Sequence, residues 1–250
     1  MQTPCPTKFG EKVSKTRLSD RDYEILDHIK RYRMTTRDVL QKLFFADSDI
    51  SAVSKVTSRL IQMNVLQKYA LDADRVYFGL GEVAAKLHGL SASKASAHGP
   101  QALIDNYAAL QFCCNGAVPR ERLLVSELKQ YIGGIRGKKL RPGMFYIDYQ
   151  GGQSRLAAMR VDHGSSPAHL LRRSREYLER VVANPGIASL IHQKSFMLTI
   201  LTAFDDKKTQ IEDCISRQEW KVFFRVEVVK GLRPLLTASA QKGQLPGAEF

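Results

Sequence analysis

Residues 18–90 read LSDRDYEILDHIKRYRMTTRDVLQKLFFADSDISAVSKVTSRLIQMNVLQKYALDADRVYFGLGEVAAKLHGL, and the succession of patterns in that stretch decides the fold. Ser19-x-x-Asp22 resembles a capping box with Asp in place of the usual Glu or Gln, so a helix starts at Ser19. Its apolar residues are Tyr23, Ile25, Leu26, Ile29 and Tyr32, with Ile25, Leu26 and Ile29 at the spacing of one helical face. Met34-Thr35 breaks the pattern, and Thr36 is placed to cap a second helix through Leu43, striped by Val39, Leu40 and Leu43. After a turn at residues 44–48, Asp49 or Ser51 caps a third helix to about Met63. Val53, Val56, Leu60 and Met63 give that helix its inner side.

The polar side of the third helix carries the chemistry. It presents Ser51, Ser54, Lys55, Ser58, Arg59 and Gln62, and no Asp or Glu occurs from Ser51 to Leu66. A helix entering a groove lined by phosphates must exclude carboxylates; its hydroxyls reach phosphates or bases, and Arg or Lys pairs with guanine edges. Alone, such a face is an ordinary solvated surface. Here two strand candidates follow, Val65–Tyr69 and Val76–Leu80, joined by a polar tip from Leu71 to Arg75. Lys68 and Arg75 are candidate phosphate contacts, although Asp72 and Asp74 would be repelled. A closing helix, Gly81–Leu90, sets Val83, Ala84, Leu87 and Leu90 on one side. Three helices, a two-stranded wing and a closing helix are the order of a winged helix-turn-helix, a DNA-binding module.

Charge agrees with that expectation. The chain has 250 residues and a formal net charge of +13, which favours a polyanion: nucleic acid or an anionic membrane surface. No apolar run approaches the roughly 18 residues of a membrane span, and residues 1–10 lack a signal-peptide core. The expectation is a soluble cytoplasmic, nucleoid-associated protein with no membrane partner. Cys5, Cys113, Cys114 and Cys214 form no CxxC pair, so neither structural zinc nor any cofactor is expected.

Taken in order, residues 1–17 read as a basic flexible arm, 18–90 as the winged helix and 91–101, small, polar and broken by Gly99-Pro100, as a linker or hinge. A helix from Ala102 to Cys114 is placed to supply a dimer contact or to pack on a second domain, and residues 123–128 make a further short segment. Residues 133–143 are a basic, glycine-rich loop in which Arg136, Lys138 and Lys139 are candidate phosphate contacts. That loop lacks the GxxxxGK[ST] order of a nucleotide loop. Strands follow at Met144–Tyr149 and Arg155–Val161 around a turn at residues 150–154. A helix from Pro167 to Val182 turns Leu170, Leu171, Tyr177, Leu178 and Val181 inward and Arg172, Arg173, Arg175 and Arg180 outward. Next come a strand Phe196–Thr202, a helix Lys207–Arg217, a strand Val222–Val229 and a flexible tail over 234–250. Residues 102–233 thus read as an α/β sandwich, and the whole chain as α+β with an α/β second half. From Arg120 to Arg175 there are twelve Lys or Arg and four acids, a net charge of +8.

This order of motifs resembles the replication-relaxation family of plasmid and mobile-element winged-helix proteins over about residues 18–230. The residues that carry it are Leu18-Ser-Asp-Arg-Asp-Tyr-Glu-Ile-Leu26, Val76-Tyr-Phe-Gly-Leu-Gly-Glu-Val-Ala-Ala85, His98 with Asn106, Val125-Ser-Glu-Leu128, Arg160-Val-Asp-His-Gly164 and Leu170-Leu-Arg-Arg-Ser-Arg-Glu-Tyr177. The resemblance implies binding of double-stranded DNA in the maintenance, transfer or regulation of a mobile element. The second half also looks like the restriction-endonuclease fold of the PD-(D/E)xK class, whose chemistry needs an Asp on one strand and acid-x-Lys on the next to hold Mg²⁺ and activate water. Here Gly143 stands at the first slot, and Arg160-Val161-Asp162 replaces the acid by Arg and the Lys by Asp. The catalytic half is therefore expected to be inactive. Six scattered histidines and the absence of a GxSxG elbow give no other catalytic reading, and Ser165-Ser166 before Pro167 reads as a helix cap.

The sequence therefore points to a sequence-specific, homodimeric duplex-DNA-binding regulator or replication and mobilisation accessory factor. Two alternatives stand beside it. One is an Mrr-like metal-dependent nuclease using Asp148 and Asp162; the other is a scaffold for a relaxase or replication protein partner.

Overall fold

A computed structural model describes residues 17–116, 118, 120–133, 144–149 and 154–237. The arm over 1–16, the basic loop with Arg136, Lys138 and Lys139, the turn after Tyr149 and the tail beyond residue 237 lie outside the described residues. Among the described residues no helix is long and apolar enough to cross a membrane.

Helix α1 (Asp20–Tyr32) starts on the expected capping box: Asp22 N–H donates to Ser19 Oγ at 3.4 Å, and Ser19 N–H donates to the Asp22 carboxylate at 2.8 Å. It ends at Arg33, in the left-handed region. Thr35 then pairs with Phe78 through two backbone bonds of 2.9 and 2.8 Å, an isolated bridge. Helix α2 (Arg37–Phe44) has Thr36 at its cap position, but the hydroxyl makes no cap bond. Helix α3 (Ile50–Gln62) is capped by Asp49. Strands β1 (Leu66–Ala70) and β2 (Val76–Leu80) form an antiparallel hairpin, with Lys68 opposite Phe78. Gly81 closes the unit. A Cβ there would sit 2.3 Å from the Asn64 carbonyl oxygen, so only glycine lets the chain return against the end of α3. Helix α4 (Glu82–Leu87) follows.

Ile25, Leu26, Ile29, Leu40, Val53, Leu60, Leu66, Phe78 and Leu80 form one core beneath these elements. Three expected inner residues are exposed instead. Leu43 is 44% exposed, Val83 41% and Leu87 60%; α4 packs through Ala84 and Ala85.

The stretch 91–101, expected to be a linker or hinge, is tied down. Ala95 is buried in a 3₁₀ turn (Ala92–Ala95), and its carbonyl accepts from the Tyr69 hydroxyl. The His98 N–H donates to Tyr77 Oη at 2.9 Å, its ring stacks on Tyr77 at 5.6 Å, and its Nε2 meets the Arg33 carbonyl at 3.0 Å.

Helix α5 (Pro100–Cys114) comes next, with Ile104, Tyr107, Ala108, Ala109, Leu110, Phe112, Cys113 and Cys114 all buried. A helix apolar on nearly every side belongs in a core, and of the two roles expected for it the structure shows packing on the second half. It lies against Tyr32, Met34, Val39, Leu71 and Tyr77 on one side, and against Tyr146, Ala157, Met159, Met197 and Leu201 of the sheet on the other.

That sheet has five strands, β3 (Arg120–Arg122), β4 (Phe145–Asp148), β5 (Arg155–Val161), β6 (Phe196–Thr202) and β7 (Phe223–Val228), in chain order. The pairs β3–β4 and β4–β5 are antiparallel; β5–β6 and β6–β7 are parallel. Its second face is covered by α6 (Val125–Ile132), α7 (Pro167–Val181), α8 (Pro185–His192) and α9 (Asp205–Ser216). With helices on both faces, β6 is buried at every position, and its two polar residues, Thr199 and Thr202, have hydrogen-bond partners in Tyr146 and Asp162. The molecule is thus mixed α and β, with a two-stranded and a mixed five-stranded sheet. Leu232 and Leu235 are buried in the core around α5, so the start of the expected flexible tail, residues 234–237, is packed.

Polar ties lock the two halves. Arg31 donates to both Glu127 carboxylate oxygens at 2.7 and 2.8 Å and to the Arg122 carbonyl at 2.7 Å. Arg122 itself is 5% exposed and donates to the Tyr32 carbonyl at 2.8 Å and to Asn106 Oδ1 at 3.0 Å. Burial pulls its guanidinium down to about 10.

Candidate nucleic-acid interface

The inner side of α3 is fixed by Val53 and Leu60, both fully buried, and by Thr57, whose hydroxyl donates to the Val53 carbonyl at 2.8 Å. On the opposite side Ser51, Lys55, Ser58 and Gln62 are exposed. Their spacing of four, three and four residues aligns them in one row along the helix. The row holds hydroxyls, one cation and one amide, with no carboxylate. Asp49 stands just before it, but its carboxylate accepts the Ser51 N–H at 2.7 Å, and that bond holds it below the usual carboxylate range. Ser54 sits half-buried beside the row, with its carbonyl accepting from Thr57 Oγ1 at 3.2 Å.

Arg59, expected among the groove contacts, has a different partner. Its Nη2 donates to both oxygens of Asp22 at 2.6 and 2.8 Å. Asp22 is 1% exposed, whereas the Arg59 side chain is 34% exposed. Burial pushes the Asp22 carboxyl up, but Arg59 and the Ser19 cap bonds outweigh it, so the group titrates below its ordinary value. One carboxylate thereby starts α1 and pins α3 to it. The pair braces α3 against α1 beside the row, because the desolvation of Asp22 demands a cation.

The β1–β2 hairpin behaves similarly. Lys68 is exposed on β1. Arg75, the other expected phosphate contact, is turned inward. It pairs with Asp72 and donates to Tyr107 Oη at 2.9 Å and to the Gly231 carbonyl at 2.9 Å. A Cβ on Gly231, whose φ is +80, would meet Tyr107 Oη at 2.5 Å, so the chain closes tightly over this guanidinium. Asp72, which weighed against a phosphate contact, is what holds Arg75 in place.

Arg172, Arg173 and Arg175 of α7, the other expected DNA contacts among the described residues, lie in the second half of the chain. Arg172 pairs with Glu176 on its own helix. Arg175 donates to Gln218 Oε1 at 2.8 Å and lies 4.9 Å over the Trp220 ring. Arg173 turns towards a cleft at the end of β5. The structure therefore gathers Ser51, Lys55, Ser58 and Gln62, sets Lys68 on the neighbouring hairpin, and places Arg59, Arg75, Arg172 and Arg175 on internal partners. Arg37 and Lys42 on α2 are also exposed, and the sequence reading passed over them.

Asp148 and Asp162 do not form a metal pair. Asp148 lies opposite Arg155 at the start of β5, and Asp162 follows Val161 at its end. That is roughly 23 Å apart at the rise of an extended strand. Each is spent on its own cation. Asp148, 2% exposed, pairs with Arg225. Asp162, fully buried, accepts from Lys207 Nζ at 2.7 Å, Thr202 Oγ1 at 3.2 Å and the Gly164 N–H at 3.0 Å. Among the described residues no group of three His, Cys, Asp or Glu side chains is placed to hold a metal ion.

Compared with family models, curated proteins and solved structures, the chain matches none of them.

Proposed function

We propose that the protein binds duplex DNA sequence-specifically, with residues 18–90 acting as a winged helix-turn-helix and α3 as its reading helix. The observation that carries this is the carboxylate-free row of Ser51, Lys55, Ser58 and Gln62 on a helix held rigidly from behind. The order α1, Thr35 bridge, α2, α3, hairpin supports it, because the third short strand-like segment beside a wing belongs to that module. Lys68 on the hairpin is set for a backbone phosphate, and the net charge of +13 favours a polyanion. The resemblance to replication-relaxation proteins supplies the setting: a regulator or accessory factor of a plasmid or mobile element, with a relaxase or replication protein as its protein partner. The five-stranded half then serves as a nuclease-like platform without a metal centre. Two copies on a palindrome would sit about 34 Å or a multiple apart, through a surface other than α5.

Selection from random duplexes, followed by binding of the winners against salt, tests the reading. The expected result is an enriched motif bound about 10³-fold or more over random sequence. No enriched motif together with a steep salt slope would reduce the protein to charge-driven binding and refute the proposal.

A further inference from the structure

Where α5, the end of β5 and the start of α7 meet there is a cleft of about 270 Å³. Its walls carry Asp105, Arg160, His163, His169, Arg173 and Arg180 around Tyr177. On α7, His169, Arg173, Tyr177 and Arg180 follow one another at four, four and three residues, so they share one helical face. Arg160 reaches across from β5, with its guanidinium 5.2 Å from the centre of the Tyr177 ring. The carboxylates nearby are engaged. Asp105 accepts from or pairs with His163 Nε2 at 2.8 Å. Asp162, two residues after Arg160, is turned onto Lys207 and Thr202. Glu176 is held by Arg172, and Glu179 faces the separate groove beside Trp220. Three guanidinium groups therefore line one space whose walls carry a single carboxylate, Asp105, so cations outnumber anions there. The N-terminal end of the 15-residue α7, with Ser165 just before its cap and His169 in its first turn, adds the positive end of a helix to the same wall.

Like charges gathered in one cleft repel each other, and an anion between them reverses the sign of that interaction. We propose that this cleft is an oxyanion site that takes one phosphoryl group, as a phosphate monoester or diester. Planar guanidinium forks from two elements, with imidazoles beside them, offer more donors than one carboxylate can accept, whereas a phosphoryl group presents several oxygens at once. The volume falls below the roughly 300–1,000 Å³ of pockets for larger organic ligands, which suits a phosphoryl group and part of its carrier. The carrier is a nucleic-acid backbone or a free phosphorylated metabolite, and the chemistry of recognition is the same. This inference does not depend on α3 reading DNA.

Calorimetric titration of the full chain with inorganic phosphate and with a nucleoside 5′-monophosphate tests it, at low salt, on the parent, Arg173→Gln, Arg180→Gln and Lys55→Gln. The parent is expected to show saturable one-site binding. Each cleft variant should weaken it about tenfold or more, the loss of one charge-assisted contact, and Lys55→Gln should leave it unchanged. Arg173 is exposed, so its replacement spares the core. If a short duplex abolishes the phosphate heat, the phosphoryl group belongs to the nucleic-acid backbone; if DNA-loaded protein still binds phosphate, it belongs to a free metabolite. Absence of saturable binding by the folded parent at millimolar phosphate, or unaltered binding by both cleft variants, would overturn the proposal. Loss of DNA binding in Lys55→Gln with phosphate binding intact would separate this site from the α3 reading.

Discussion

Arg59→Ala separates a bracing role for this arginine from a reading role. Asp22 is 1% exposed and receives two contacts from Arg59 and two from Ser19. Removing the cation from a buried pair costs about 3–5 kcal/mol when both charges are desolvated. Here the arginine is 34% exposed, so solvent screens it, and the Ser19 bonds persist. The expected loss is therefore about 2 kcal/mol. Urea unfolding reads it as a lower midpoint with an unchanged slope. The sign with pH follows from the carboxylate. In the parent the folded Asp22 titrates below its ordinary value, so its stabilisation is present above the unfolded value and lost as pH falls through the folded one. Without Arg59, burial pushes the carboxyl up, so the gap between parent and variant is widest near neutrality and narrows below about pH 4. Asp22→Asn combined with Arg59→Ala should cost less than the sum of the singles, with a coupling of about 1 kcal/mol or more. An unchanged midpoint in Arg59→Ala, with lost site preference on DNA, would refute the brace and return Arg59 to the groove.

Three further outcomes are expected. Arg75→Ala should lower stability by about 1–3 kcal/mol through the loss of its contacts to Asp72, Tyr107 and Gly231, while the salt slope of DNA binding stays the same; a slope reduced by about one would place Arg75 on a phosphate. His28 is buried against Thr35, and burial together with Arg31 lowers its imidazole to about 4. Because its folded value lies below the unfolded one, protonation opposes folding. Stability should therefore fall by roughly 3 kcal/mol as pH drops from 6.5 to 4, and a parallel pH profile in His28→Gln would contradict this. Asp162→Asn should destabilise the chain by about 2 kcal/mol or more by stranding Lys207, with no change in any Mg²⁺-dependent nicking of DNA; nicking that Asp162→Asn abolishes would revive the nuclease reading.

Period and capping made much of this fold legible. Ser19 with Asp22 announced α1 with its reciprocal bonds, and the apolar runs of β5 and β6 gave both strands their observed limits. What escaped depends on partners distant in sequence. Arg59 and Asp22 are 37 residues apart, and nothing local distinguishes a bracing arginine from one aimed at DNA. Arg75 reaches Gly231, 156 residues away. The strand Arg120–Arg122 has no apolar pattern to announce it, since its charges are satisfied by tertiary contacts: Arg122 is buried among Tyr32 and Asn106. Helix α8 did carry local signals that went unread. Asn184 caps it by accepting the N–H groups of Gly186 and Ile187, and Pro185 occupies its first position. The segment before α5 reads as a hinge from its small residues, yet Tyr69 and Tyr77 anchor it through contacts that composition does not display. For α3, the exposed row was legible because the helical period alone sorts Ser51, Lys55, Ser58 and Gln62 from Val53, Thr57 and Leu60.

The most direct test of the central claim is the affinity of the Lys55→Gln, Gln62→Ala variant for the duplex selected by the parent, measured beside a random duplex. The account predicts that the fold persists and that random DNA is bound more weakly only by the loss of one cation, while the preference for the selected site over random DNA drops by roughly 1–3 kcal/mol per lost base contact. A variant that keeps the parent's full preference would show that α3 does not read the DNA.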